Sequence, residues 1–253
     1  MSENAAQHEL CMEVLKSLQG AGVLDHVVLV GSWCLYFYRH GDILQGHLGT
    51  LRTDDIDFLL PQPLDPLLRV SIPELLEGMD FIVRHGMDGT MHLEHASMKL
   101  EFLIPERGRG SAAPHFVKAL GVTAQPLRFL DFLLQDTAFL NVGALRIQVP
   151  APVRFGLHKL IVSERRTKAA KAAKDREQGV DVLRALVSQG KERLVKSTYI
   201  ALPSRWKTGV AKALGKIGAE DLMDLLLRKT RWARHQMPAF VEPGYGRVAW
   251  SAT

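Results

Sequence analysis

Residues 48–61 read LGTLRTDDIDFLLP, three aspartates in four positions followed by an apolar run that stops at Pro61. A short apolar run bounded by turn-type residues predicts a strand, and a proline ends it because it cannot donate to a ladder. Side chains alternate faces along a strand, so Asp55 and Asp57 share one side, with Cα atoms roughly 6.5–7 Å apart, while Asp54 points the other way. Two carboxylates on one strand face can clamp divalent ions about 3.5–4 Å apart, with triphosphate oxygens and water completing the coordination. Alone, such a pair is as readily explained by solvated acids at a strand mouth. Asp54 is expected to face solvent or to anchor a loop.

The neighbouring segments sharpen the reading. HELCMEVLKSLQGAG carries apolar residues at helical spacing (Leu10, Val14, Leu15, Leu18) and ends in glycines, which predicts a helix. DHVVLV reads as a strand, and GSWCLYFYRH after it predicts a turn into a helix at Gly31-Ser32, with the serine as helix cap. A helix N-terminus with a glycine that permits close backbone approach and a hydroxyl donor is a seat for phosphate. A third acid, Glu101, sits amid Leu100, Phe102 and Leu103 in SMKLEFLIP. An unpaired carboxylate there is expensive to bury, unless that strand lies beside Asp55 and Asp57. Placed so, Glu101 can ligate a metal or take a proton from an attacking hydroxyl.

SIPELLEGM predicts a short helix, DFIVRHG and TMHLEH two further strands, and TAFLNVGALRIQVP a hairpin turning at Asn141-Val142-Gly143. PLRFLDFLLQ predicts a helix and ERGRGSAAPH a loop. Beyond Val149-Pro150 strand signals vanish, and five long helix-prone segments follow. The charge reverses at the same point. Residues 1–150 hold 11 Lys and Arg against 18 Asp and Glu, and residues 151–253 hold 21 against 9. The expected architecture is therefore α/β (α+β), a mixed-sheet domain over 1–150 and a basic helical domain over 151–253. A basic region beside an acidic one faces phosphates or is simply a solvated helical surface. Cys11 and Cys34 lack metal-ligand spacing and read as small buried residues. No stretch approaches the ~20 apolar residues of a membrane span, and the first residues lack the layout of a secretory signal, so a cytoplasmic protein without membrane contact is expected.

Glycine-serine opening a helix, D-h-D (h apolar) on the next strand and a third acid on a later strand resemble nucleotidyltransferases of the DNA polymerase β superfamily. Gly31-Ser32, Asp55-Ile56-Asp57 and Glu101 are the matching residues. More narrowly, RTDDIDFLL, KLEFLIP, VPAPVRFGLHKLIVSERR and KAAKDREQGVDVL look like bacterial proteins related to abortive-infection type II toxins. The resemblance covers about residues 27–190. The 22 residues between Ser32 and Asp55 exceed the usual dozen, through either a longer helix or an inserted loop.

The resemblance implies a polymerase β-like fold and NMP transfer from an NTP to an acceptor hydroxyl of RNA, such as tRNA, or of a protein. Gly31 and Ser32 would hold the β and γ phosphates. Asp55 and Asp57 would bind Mg²⁺ (or Mn²⁺), Glu101 would complete the second metal site and help activate the acceptor, and Lys159 and Asp175 match positions near the triphosphate. A role as a toxin with an antitoxin partner, or in phage defence, belongs to the same resemblance. The alternative is a catalytically silent nucleotide- or RNA-binding module of the same fold. Lys159, amid apolar residues, either reaches the triphosphate or snorkels. Asp175 either orients a cation or pairs within its helix. Lys168, Lys171 and Lys174, with Arg165, Arg166 and Arg176, form either a basic face for RNA or a triphosphate tail, or a solvated surface. His92, Glu94 and His95 show no ligand-set spacing, and Trp206, Trp232 and Trp250 either stack bases or pack. Residues 191–253 carry no motif with an assigned role.

Overall fold

The computed structural model describes residues 3–45, 53–106 and 113–227. Helix α1 (Glu3–Gly20) leads to β1 (Val28–Val30), α2 (Trp33–His40) and β2 (Asp55–Leu59). Then come α3 (Ile72–Leu76), β3 (Ile82–His85), β4 (Met91–His95) and β5 (Met98–Pro105). Strands β6 (His115–Val117) and β7 (Val122–Leu127), helix α4 (Leu130–Leu134) and the hairpin β8 (Thr137–Val142) and β9 (Leu145–Pro150) complete this part. From Pro152 only helices follow among the described residues: α5 (Pro152–Ser163), α6 (Ala169–Ser188), α7 (Glu192–Ile200), α8 (Ser204–Ile217) and α9 (Glu220–Leu227). This is the expected mixed α/β architecture with a helical C-terminal region. No helix among the described residues is long and apolar enough to cross a membrane.

The sheet runs β1-β2-β5-β4-β3, with β7 joining the far end of β5 and β6 pairing with β7. It is mixed, because β2 and β7 run parallel to β5 and the other pairs are antiparallel. One face is covered by the main core, in which Leu29, Ile56, Phe58, Leu100 and Phe102 belong to the same buried cluster as Cys11, Val14, Leu15 and Leu18 of α1. The same core continues into α5–α9. The other face carries a small apolar cluster, Val28, Val30, Leu59, Leu103, Leu130 and Leu133, and, further along, the acids.

Some local expectations change. The sequence pattern missed β6 and β7, whose VTAQPL contains a proline; Pro126 lies beyond the last β6 partner, Ala124 opposite His115, where one edge of β7 is open. The helix expected over 126–135 shrinks to α4, because Phe129 takes a left-handed conformation (φ 70°) just before it. The hairpin turns at Gly143-Ala144, one residue later than expected, with Gly143 at φ 58°. Helix α2 has only eight residues, so the extra length before Asp55 is not a longer helix. Trp232 and Trp250 lie outside the described residues. Cys11 and Cys34 are free and buried.

Candidate active site

β2 and β5 run parallel in a register that sets Asp55 beside Lys99 and Asp57 beside Glu101. Residues paired in this way point to one face, so the alternation in DDIDF and KLEF delivers a two-by-two block of charges: Asp55 and Asp57 on one strand, Lys99 and Glu101 on the next. Asp54 points to the opposite face, where its carboxylate accepts a hydrogen bond from Gln7 Nε2 (3.0 Å), which also donates to the Ser97 carbonyl. It anchors α1 to the sheet and does not simply face solvent.

Gly31, directly after β1, closes the other side of Asp57. Its φ of +74° is left-handed, and a Cβ there would lie 2.1 Å from Asp57 Oδ2. Glycine is required twice, for the backbone conformation and for the close approach of the carboxylate. Ser32 does not cap α2 with its side chain, contrary to expectation. Its buried hydroxyl accepts a hydrogen bond from Gln178 Nε2 of α6 (3.1 Å), which ties the turn to the C-terminal helices.

Helices α5 and α6 supply the cations. They pack closely at Gly156 and Gly179, where a Cβ on Gly179 would stand 2.8 Å from the Gly156 carbonyl oxygen. Lys159 Nζ donates to Asp175 Oδ1 (2.7 Å) and Arg166 Nε to Asp175 Oδ2 (2.8 Å). Lys159 and Asp175 are both buried, so Lys159 does not snorkel to water. A carboxylate does not attract phosphate; Asp175 instead holds two cations in place. Burial alone would raise its carboxyl, yet Lys159 and Arg166 outweigh that and hold it below the usual range.

All of Gly31, Ser32, Asp55, Asp57, Glu101, Lys159 and Asp175 line one open cleft of about 590 Å³. Arg165, Arg166, Lys171 and Lys174 of the basic segment line it too, and Leu103, Phe129, Leu130 and Leu133 give it an apolar flank. Arg176 instead lies 3.9 Å from Glu164. Glu94 pairs with Arg84, His95 bonds Ser97, and Trp206 packs edge-on against Phe129 and Phe132. Burial, then the carboxylates of Glu101 and Asp55, push Asp57 up to about 6 against the pull of Lys159 and Arg166. His158, also at the cleft, is pushed down to about 3 by burial and then by Lys159, so it is neutral, and its Nε2 has no partner among the described residues.

Among the described residues no three His, Cys, Asp or Glu side chains stand close enough to cage a metal by themselves. The donor chemistry nevertheless fits Mg²⁺, a hard ion that takes one or two carboxylates and completes its shell with phosphate and water. Lys99, Gln178 and His158 escaped the sequence reading. Lys99 lies two residues before Glu101, hence on its strand face, and Gln178 lies three after Asp175, hence on its helix face, which were the available signals.

Among solved structures, the chain is similar to an antigenic nucleotidyltransferase-like protein from Paracoccidioides brasiliensis, at 15% identity over 87% of this chain and 93% of that one, with a TM-score of 0.48. It is also similar to ANT(2")-Ia in complex with adenylyl-2"-tobramycin, at 11% identity over 87% and 94%, with a TM-score of 0.39. No curated protein matches it. A family model described as nucleotidyltransferase matches residues 9–201, and over that span, most of its length, the chain belongs to the nucleotidyltransferase family.

Proposed function

We propose that this protein transfers an NMP from an NTP to an acceptor hydroxyl of RNA, tRNA included, or of a protein, with Mg²⁺ or Mn²⁺ bound at Asp55, Asp57 and Glu101. The observation that carries the reading is the cleft itself, which sets an acid block on its sheet floor against a cation group on α5 and α6. That separation suits a substrate whose triphosphate needs cations on one side and whose reacting phosphorus needs a bound ion on the other.

In this reading Gly31-Ser32 and Lys159 hold the β and γ phosphates, and Asp175 keeps Lys159 and Arg166 aimed at them. Asp55 and Asp57 would hold the divalent ion that offsets the charge at the α-phosphate end of the nucleotide. Glu101 takes the proton of the acceptor hydroxyl as its oxygen bonds to the α-phosphorus and the bond to the β-phosphate oxygen breaks, releasing pyrophosphate. A bound divalent ion supplies neutralisation of the charge on the triphosphate and on the departing pyrophosphate. No covalent enzyme intermediate is required, because positioning and charge compensation do the catalysis. Residues 1–150 form the catalytic domain and 151–253 the basic helical domain in this proposal, and a toxin or defence role with an antitoxin would be a use of the same transfer.

A second reading, a silent nucleotide-binding module, is favoured by the ion pair of Lys99 with Glu101, which engages one of the three acids. Incubation of the protein with RNA or lysate and NTP labelled either at the α or at the γ phosphate separates the two. Label appearing on the acceptor from the α position only supports transfer; no acceptor label from either position, with nucleotide still bound, supports the silent module.

A further inference from the structure

Lys99 is the fourth member of the charged block on β2 and β5, and the transfer reading leaves it unused. It lies beside Asp55 across β2 and β5, beside Glu94 across β5 and β4, and two residues before Glu101, so all of these project from one face. Glu94 is engaged by Arg84 at 3.0 Å, and the Lys99 ammonium donates to Glu101. Both partners of the Lys99 and Glu101 pair keep about a third of their side-chain surface in water, 33% and 31%. Such a pair contributes little to stability, so holding the fold together does not account for it.

We propose that Lys99 is the resident counter-cation of the carboxylate block, its ammonium occupying Glu101 so that a divalent ion can complete the site only by displacing it. The inference rests on the reading of Asp55, Asp57 and Glu101 as metal ligands. Its consequence is order of loading. With Lys99 in place the block is one charge less negative and attracts a free divalent ion more weakly, whereas an NTP brings phosphate oxygens that accept the ammonium released from Glu101. The free protein is thus kept metal-poor, and ion and nucleotide load together.

Titration of the nucleotide-free, full-length chain with Mn²⁺, followed by the paramagnetic resonance of the free ion, tests this without any turnover. Lys99→Met, which keeps the apolar stem, and Lys99→Gln are expected to bind Mn²⁺ on the order of tenfold more tightly than the unmodified protein. Lys99→Arg, which keeps the charge, is expected to match it, and Asp57→Asn to weaken binding. If the Met and Gln variants bind no more tightly while Asp57→Asn still weakens binding, the role of Lys99 is overturned and the ligand assignment stands. If Asp57→Asn leaves Mn²⁺ binding unchanged, the ligand assignment itself fails and the inference goes with it.

Discussion

Asp57→Asn should make the metal-free protein more stable at neutral pH, at the site where it should do most damage to activity. The Asp57 carboxyl is raised from an ordinary 3.8 to about 6, first by burial and then by Glu101 and Asp55. Below pH 3.8 the folded and unfolded chains both hold this proton. Between 3.8 and 6 the unfolded chain gives it up first, so stability falls as pH rises and the loss is complete above the folded value. At about 1.4 kcal/mol per pH unit the full gap corresponds to about 3 kcal/mol. The carboxylate borders an open cleft, so water screens part of this and we expect about 1–2 kcal/mol. Denaturant unfolding in the presence of a chelator, from pH 4.5 to 7.5, measures it. The variant should pull ahead of the unmodified protein as pH rises, and millimolar Mg²⁺ supplied together with an NTP in place of the chelator should narrow the gap by favouring the unmodified chain. A gap that does not change with pH, or a variant less stable at pH 7.5, would refute the account of Asp57 as a carboxylate disfavoured by burial and by its acidic neighbours.

Three more expectations follow from the geometry. Gly31→Ala meets a left-handed φ, costing about 1–2 kcal/mol, and drives its Cβ into Asp57; thermal melts should show the loss, and NMP transfer should fall on the order of a hundredfold as the carboxylate is displaced. Asp175→Asn leaves Lys159 buried beside a neutral amide, and chemical denaturation at pH 7 should show a loss of about 2–4 kcal/mol. Because the folded carboxyl of Asp175 is depressed, its contribution is present above the unfolded value and disappears as pH falls through the folded one, so the difference from the unmodified protein should shrink in acid. Gly179→Ala forces α5 and α6 apart at the Gly156 carbonyl, a packing penalty of about 1–3 kcal/mol against a helix-propensity gain of about 1; calorimetry should give a lower Tm.

What the sequence disclosed is what depends on period. Two-residue alternation was enough to split Asp54 from Asp55 and Asp57, and the structure then gave Asp54 a partner, Gln7, that lies 47 positions away and that no local pattern reveals. The α/β character, the helix opening at Gly31 and the helical stretch after Pro152 all rest on local signals that tertiary packing did not override. Strands β6 and β7 were hidden because β6 has three residues and β7 contains a proline, both of which weaken a strand pattern. Strand register was the larger gap. Only the pairing of β2 with β5 shows that Asp57 meets Glu101, and that Lys99 stands beside Asp55. In the same way, Lys159 reads as a lysine in an apolar helix until α6 brings Asp175 against it. Phe129 carries no glycine-like signal for its left-handed backbone, which is why the helix expected across it is cut short.

The central claim is that the cleft moves an NMP, and the most direct measurement is transfer of α-phosphate label from each of the four NTPs, with Mg²⁺, to total RNA and to lysate protein. Wild-type and Asp57→Asn chains should be compared after both are shown to be folded. The account predicts label on RNA or on protein with the wild type and none with the variant. Label that survives unchanged in Asp57→Asn, or no label from any NTP on either acceptor pool, would contradict it.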